Sequence, residues 1–140
     1  PPKSVAGLRL SRPVDERWPI TQPWGADPAY TGNWEHFHYG IDYGCPVGTP
    51  ILAAADGGVV VSLENAQDGA WGQYIEVEHV EGYRTGYAHL SRRLLEVGDS
   101  IAQGHVLALS GNTGRTTGPH LHCQLLQGGQ RIDPTPYMLF

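Results

Sequence analysis

The chain has 140 residues, a net charge of −5, only 16% charged residues, and 19 glycines and 11 prolines. That length holds one domain with one core, and the turn-rich composition belongs to a β protein rather than a helical bundle. The acidic balance excludes a nucleic-acid surface, no apolar run reaches the roughly 20 residues that span a bilayer, and two cysteines are too few for a disulfide scaffold.

Cys45 and Cys123 read as small buried apolar residues, with a single bridge between them left open. Nothing at the start resembles a signal peptide and the first residue is not Met. The expectation is therefore a mature product or a module of a longer chain, working as a monomer or as that module.

Residues 1–17 lack sustained periodicity and read as an N-terminal arm or linker, which leaves 18–140 as the domain. From Trp18 to Trp34 the aromatics, Gly and Pro suggest a structured loop. Short strands follow: Thr49 to Ala55, closed by Asp56-Gly57, then Gly58 to Leu63. Gln73 to Val80 alternates, with Tyr74, Glu76 and Glu78 on one side and Ile75, Val77 and His79 on the other. Glu81-Gly82 turns the chain into a hairpin partner over Tyr83 to Leu90. Ser91 to Glu96 reads as a helical turn, and Ile101 to Ser110 and Leu121 to Gln127 complete the strands. Val97-Gly98-Asp99-Ser100-Ile101 echoes Val47-Gly48-Thr49-Pro50-Ile51, which predicts two similar hairpin units packed together. The fold class is all-β, mainly antiparallel.

Two motifs carry the chemistry. In His38-Tyr39-Gly40-Ile41-Asp42, extended geometry puts His38 and Asp42 on one face, with Gly40 leaving room between them. In Gly118-Pro119-His120-Leu121-His122 the two histidines share a face in the same way. Two His and one carboxylate are a common ligand set for a catalytic zinc that keeps a position open, with one group left over for proton transfer. His36 pairs with His38 and is an alternative ligand. His89, at the end of the hairpin strand, is placed to reach a cleft as an acid or base. His79 reads as structural, His105 as a surface turn residue, and the four tryptophans as packing, with Trp34 and Trp71 in rim loops. The run Asn112 to Gly118 has a P-loop composition without its lysine and reads as a groove loop.

Taken in order, His38-Tyr39-Gly40-Ile41-Asp42, Tyr87-Ala88-His89-Leu90-Ser91 and Gly118-Pro119-His120-Leu121-His122 resemble the M23 peptidases, lysostaphin-like zinc endopeptidases that cut bacterial cell-wall peptides. The resemblance covers roughly residues 20–136 and includes Gly48-Thr49-Pro50, Ala54 to Val60, Val97-Gly98-Asp99 and Gly111-Asn112-Thr113-Gly114. It implies a lysostaphin-like sheet or sandwich of the duplicated-hybrid-motif type with a long groove. It also implies one Zn²⁺ on His38, Asp42 and His122, and catalytic, non-ligand roles for His89 and His120, whose division of labour stays open. The implied partners are peptidoglycan peptides, met outside the cell, in the periplasm or by phage delivery. Tyr30 is a candidate for assisting the transition state, and Cys123-Gln124 departs from the aromatic and Glu that the family often places there.

Other readings fit less well. A cysteine peptidase needs a thiolate beside a His, but Cys45 precedes a proline-rich run and Cys123 faces away from His122. A lipoyl or biotinyl carrier needs an acceptor lysine, and Lys3 is misplaced. A phosphocarrier has no use for Asp42 in a ligand triad. A zinc-bearing wall-binding or activator module that does not cut remains the alternative.

Overall fold

A computed structural model describes residues 7–26, 37–64 and 70–138. Its strands are β1 (Ile20–Gln22), β2 (Gly25–Ala26), β3 (Phe37–His38), β4 (Ile41–Tyr43), β5 (Pro50–Leu52), β6 (Gly58–Glu64), β7 (Gln73–Glu78), β8 (Tyr83–Arg93), β9 (Ser100–Ile101), β10 (Val106–Ser110), β11 (Leu121–Gln127) and β12 (Gln130–Ile132). One large sheet runs β1-β4-β11-β8-β7-β6-β9; β10 joins β5 to β8, and β12 forms a hairpin with β11. Every strand pair in it is antiparallel. The expected all-β antiparallel architecture is what the chain adopts.

The long central strands form where alternation is cleanest. Ile75 and Val77 on β7 are fully buried, and His79 continues their side. The β7–β8 hairpin turns through Glu81 (φ 52°) and Gly82 (φ 77°). Two successive left-handed residues match the twist of the flanking strands, which is why such hairpins favour glycine there. Tyr74 breaks the alternation: it shares a side with Glu76 and Glu78, yet it is buried, because Trp71 stacks on it and Gln124 reaches it.

The predicted helical turn at Ser91 to Glu96 does not form. Its first half continues β8, where Arg92 pairs with Leu109 and Arg93 with Ala108 of β10. Sheet pairing overrides the modest helix preference of the segment. The two echoing units are present. Gly48 (φ 91°) and Gly98 (φ 95°) make matching turns. Gly48 N–H bonds Ser110 O and Ser110 N–H bonds Thr49 O; in the other unit Gly98 N–H bonds Val60 O and Val60 N–H bonds Asp99 O.

Ile51, Ile75, Leu90, Leu107, Leu121 and Tyr87 centre the core. Tyr87 meets its polar requirement by donating to Thr85 Oγ1 and accepting from Ala54 N–H. The described part of the predicted arm is no free linker: Leu8, Leu10 and Val14 are buried in the same core. Leu10 forms a parallel bridge with Met138, and backbone bonds Leu10 N–H to Tyr137 O, Ser11 N–H to Ala54 O and Leu52 N–H to Pro13 O strap the segment down. Burial of each such side chain stabilises by about 1.5–3 kcal/mol, enough to hold a segment that has no periodicity of its own. No described helix is long and apolar enough to cross a membrane.

Candidate active site

The β4–β11 register sets Asp42 opposite His122, and β3 brings His38 to the same corner. Gly40 makes the approach feasible: a Cβ there would lie 2.7 Å from His122 Nε2 and 2.8 Å from Cys123 O. The space foreseen beside Gly40 is filled by the His122 ring. His38 Nε2 stands 3.1 Å and His122 Nδ1 2.8 Å from Asp42 Oδ1, and the donor atoms of all three residues lie within 4.8 Å of one another.

The other nitrogen of each imidazole is already committed. His38 Nδ1 is 3.0 Å from Pro23 O, and His122 Nε2 is 3.0 Å from Gln124 Oε1. Both partners only accept, so those nitrogens carry hydrogen and the inward nitrogens keep lone pairs. Two lone pairs and a carboxylate oxygen aimed at one another repel unless a cation lies between them. The donor set therefore fits zinc, with oxygen and nitrogen ligands and a side open to the groove. When protonated, the same inward nitrogens donate to the carboxylate instead. Burial disfavours the Asp42 carboxylate, but bonds to His122 and His38 more than offset it and hold Asp42 far below the usual carboxylate range. Burial likewise disfavours charge on His38, and the Asp42 carboxylate outweighs it, raising His38 above its ordinary value.

His89 and His120 face each other beside this corner, ring centroids 4.8 Å apart. His89 Nδ1 donates to Thr113 O at 2.7 Å, and His120 Nδ1 to Gly118 O at 2.8 Å. Each Nε2 is thus left as the basic atom, and that of His120 lies 3.7 Å from Asp42 Oδ2. His89 has φ 62°, a left-handed conformation uncommon outside glycine. Its backbone N–H bonds Trp71 O, and Thr113 Oγ1 bonds Leu90 O, which together hold the residue in that strained geometry. Burial lowers the basicity of His89 below the ordinary imidazole value, and the neighbouring His120 and His122 lower it further.

These five residues line an open groove of about 320 Å³, with Tyr39, Trp71, Arg115 and Arg131 on its walls. Trp71 stacks on His122 at 4.8 Å and 18°. Arg131 lies over the rings of Tyr39 (4.7 Å) and Trp71 (5.8 Å), a cation–π wall that no sequence motif marks. Trp71, foreseen at the rim, is part of the site itself. The predicted site residues His38, Asp42, His89, His120 and His122 are all brought together. His79 is apart from them, buried between Asp56 O and Thr85 Oγ1, and His105 is exposed. Trp18 packs on the core, and Trp24 packs on Phe37 and Tyr39. Tyr30, Trp34 and His36 lie outside the described residues. Cys45 and Cys123 are unpaired, and burial pushes the Cys123 thiol up to about 12.

An antiparallel β sheet carrying a two-histidine, one-aspartate candidate metal site beside two pinned histidines in an open groove is the type of site a metallohydrolase uses. The model for peptidase family M23 matches residues 36–134, and the chain belongs to this family of zinc metallopeptidases. It is 45% identical over 97 residues to the peptidoglycan DD-endopeptidase ShyC of Vibrio cholerae, a match covering 69% of this chain and 22% of that protein. It is 36% identical over 132 residues to the DD-carboxypeptidase/endopeptidase Mpg of Neisseria meningitidis, covering 94% and 27% respectively. The chain thus spans about a quarter of the length of these relatives. Among solved structures it is similar to the catalytic domain of the prophage-encoded M23 protein EnpA from Enterococcus faecalis, with a TM-score of 0.79 and 29% identity over 90% of this chain and 95% of that one. The catalytic domain of lysostaphin from Staphylococcus simulans gives a TM-score of 0.73 and 31% identity over 86% and 92%.

Proposed function

We propose that this chain is a zinc-dependent endopeptidase that hydrolyses peptide bonds of bacterial peptidoglycan, acting outside the cytoplasm. One observation carries the reading: three cation-seeking donors converge beside two histidines whose Nδ1 atoms are pinned to backbone carbonyls and which line the same open groove. His38 Nε2, Asp42 and His122 Nδ1 would hold one zinc. Zinc, when bound, supplies Lewis acidity toward a carbonyl oxygen and toward water. His89, kept neutral at rest by burial, takes the proton that hydrolysis releases. His120 faces it, and the proton taken up at Nε2 of this pair is the one passed on to the departing amine, so that the leaving group departs neutral and both rings return to their neutral form. Their Nδ1 bonds to Thr113 O and Gly118 O keep both rings oriented through the cycle. The peptidoglycan substrate is supported by the names of the relatives in Vibrio and Neisseria.

The test is mass spectrometry of purified peptidoglycan after digestion with and without a chelator. New amino termini that vanish with the chelator are expected. New reducing sugar ends refute a peptidase, cleavage insensitive to chelation refutes zinc, and zinc uptake without any cleavage favours a wall-binding module.

A further inference from the structure

Behind the His122 ring, on the side away from the metal-binding corner, a hydrogen-bonded chain crosses three strands. His122 Nε2 lies 3.0 Å from Gln124 Oε1, and Gln124 Nε2 lies 3.1 Å from the Tyr74 hydroxyl. That hydroxyl is 2.5 Å from Glu76 Oε2, and Arg84 Nη1 donates to Glu76 Oε1 at 3.1 Å. Gln124 is on β11, Tyr74 and Glu76 are on β7, and β8 runs between them. Gly86 of β8 stands opposite both Gln124 and Glu76. A Cβ at Gly86 would overlap the Tyr74 hydroxyl and lie 2.8 Å from its Cζ, so the bare backbone there is what lets Tyr74 bridge the two strands.

Each link admits one polarity. Glu76, paired with Arg84, accepts and cannot donate, so Tyr74 must donate to it. The hydroxyl can then only accept from Gln124, which turns the amide NH₂ toward Tyr74 and the carbonyl toward His122. A carbonyl only accepts, so His122 Nε2 carries the hydrogen and Nδ1 keeps its lone pair. Burial, reinforced by Glu76, pushes the Tyr74 hydroxyl well above its ordinary range, and it retains its proton. Gln124 and Tyr74 are both buried, which keeps water from supplying a competing partner.

We infer that Glu76, acting through Tyr74 and Gln124, fixes the tautomer of His122 and so presents Nδ1 as a ready metal donor. Glu76, Tyr74 and Gln124 are positioning residues for a metal ligand. The inference rests on the zinc reading above. Its chemistry is the orientation of a ligand by the group bonded to its far nitrogen.

The experiment measures zinc affinity of the whole chain by competition with a chromophoric chelator, with folding followed by circular dichroism. Glu76→Gln lets an amide NH₂ face Tyr74, which reverses the chain and turns the Gln124 NH₂ toward His122. Zinc binding should weaken by about ten- to a hundred-fold. Adding Gln124→Glu to that variant should restore affinity, since a carboxylate at 124 accepts from His122 whichever way Tyr74 points. Tyr74→Phe should weaken zinc as well, by freeing the Gln124 amide, and it decides the question alone if Glu76→Gln fails to fold. Wild-type affinity in folded Glu76→Gln and Tyr74→Phe overturns the inference, and so does a double variant as weak as Glu76→Gln. A wild-type chain that takes up no zinc overturns the zinc reading and this inference together, whereas a zinc-binding wild type with unresponsive variants removes the inference alone.

Discussion

The candidate metal-binding corner and the facing histidine pair set the same side chain in two surroundings. His38 and His122 sit on strands, and His122 is registered against Asp42 by the sheet. His89 is on a strand as well, and it and His120 are held by the loop carbonyls Thr113 O and Gly118 O. In both regions one ring nitrogen is tied to a carbonyl oxygen, and in the corner the other stands against Asp42 Oδ1. What differs is the distance to Asp42: its Oδ1 lies 2.8 and 3.1 Å from the His122 and His38 nitrogens, whereas its Oδ2 lies 3.7 Å from His120 Nε2. On the proposed function, placement relative to Asp42, not residue type, separates metal binding from proton transfer.

That separation predicts effects of graded size. Asp42→Ala should abolish both zinc uptake and peptide hydrolysis, read by metal analysis and product mass spectrometry; retained zinc would merge the two regions into one. His89→Ala and His120→Ala should keep stoichiometric zinc while kcat falls by about 10²–10⁴-fold, so a loss of zinc in either variant breaks the comparison from the other side. Gly40→Ala drives a methyl into the His122 ring and should cost about 1–3 kcal/mol of stability, visible as a lowered Tm with weaker zinc binding. The smallest effect is on pH. Because the basicity of His89 is lowered, its neutral form persists as pH falls, and the acidic limb of kcat/KM should lie below the ordinary imidazole value of about 6.5. A limb above that value that is absent in His89→Gln would contradict the burial argument.

Much of this was legible in the sequence. The five site residues stand in motifs whose two-residue spacing, in extended chain, puts side chains on one face, and the structure brings all five together. The strand read over Gln73 to Val80 forms as Gln73–Glu78, with buried Tyr74 departing from the alternation, and the Glu81-Gly82 turn read directly. Three things did not. The burial of Leu8, Leu10 and Val14 follows from a neighbouring core and leaves no period in the sequence. The segment after Ser91 is extended because β10 pairs with it, a long-range fact invisible to local preference. Arg131 and Tyr74 gain their importance from cross-strand neighbours, Tyr39 and Trp71 for one and Gln124 for the other. A lone arginine or tyrosine in a strand carries no mark of that.

The strap at Leu10 also has a mechanical meaning. Leu10 and Met138 run parallel at their bridge, so tension applied between these two ends of the fold draws them in opposite directions along their contact. At that bridge the load falls in shear on the backbone bond from Leu10 N–H to Tyr137 O. The bridge thus sets a sheared contact between the two ends of the described chain, apart from the β4–β11 pairing that aligns the groove.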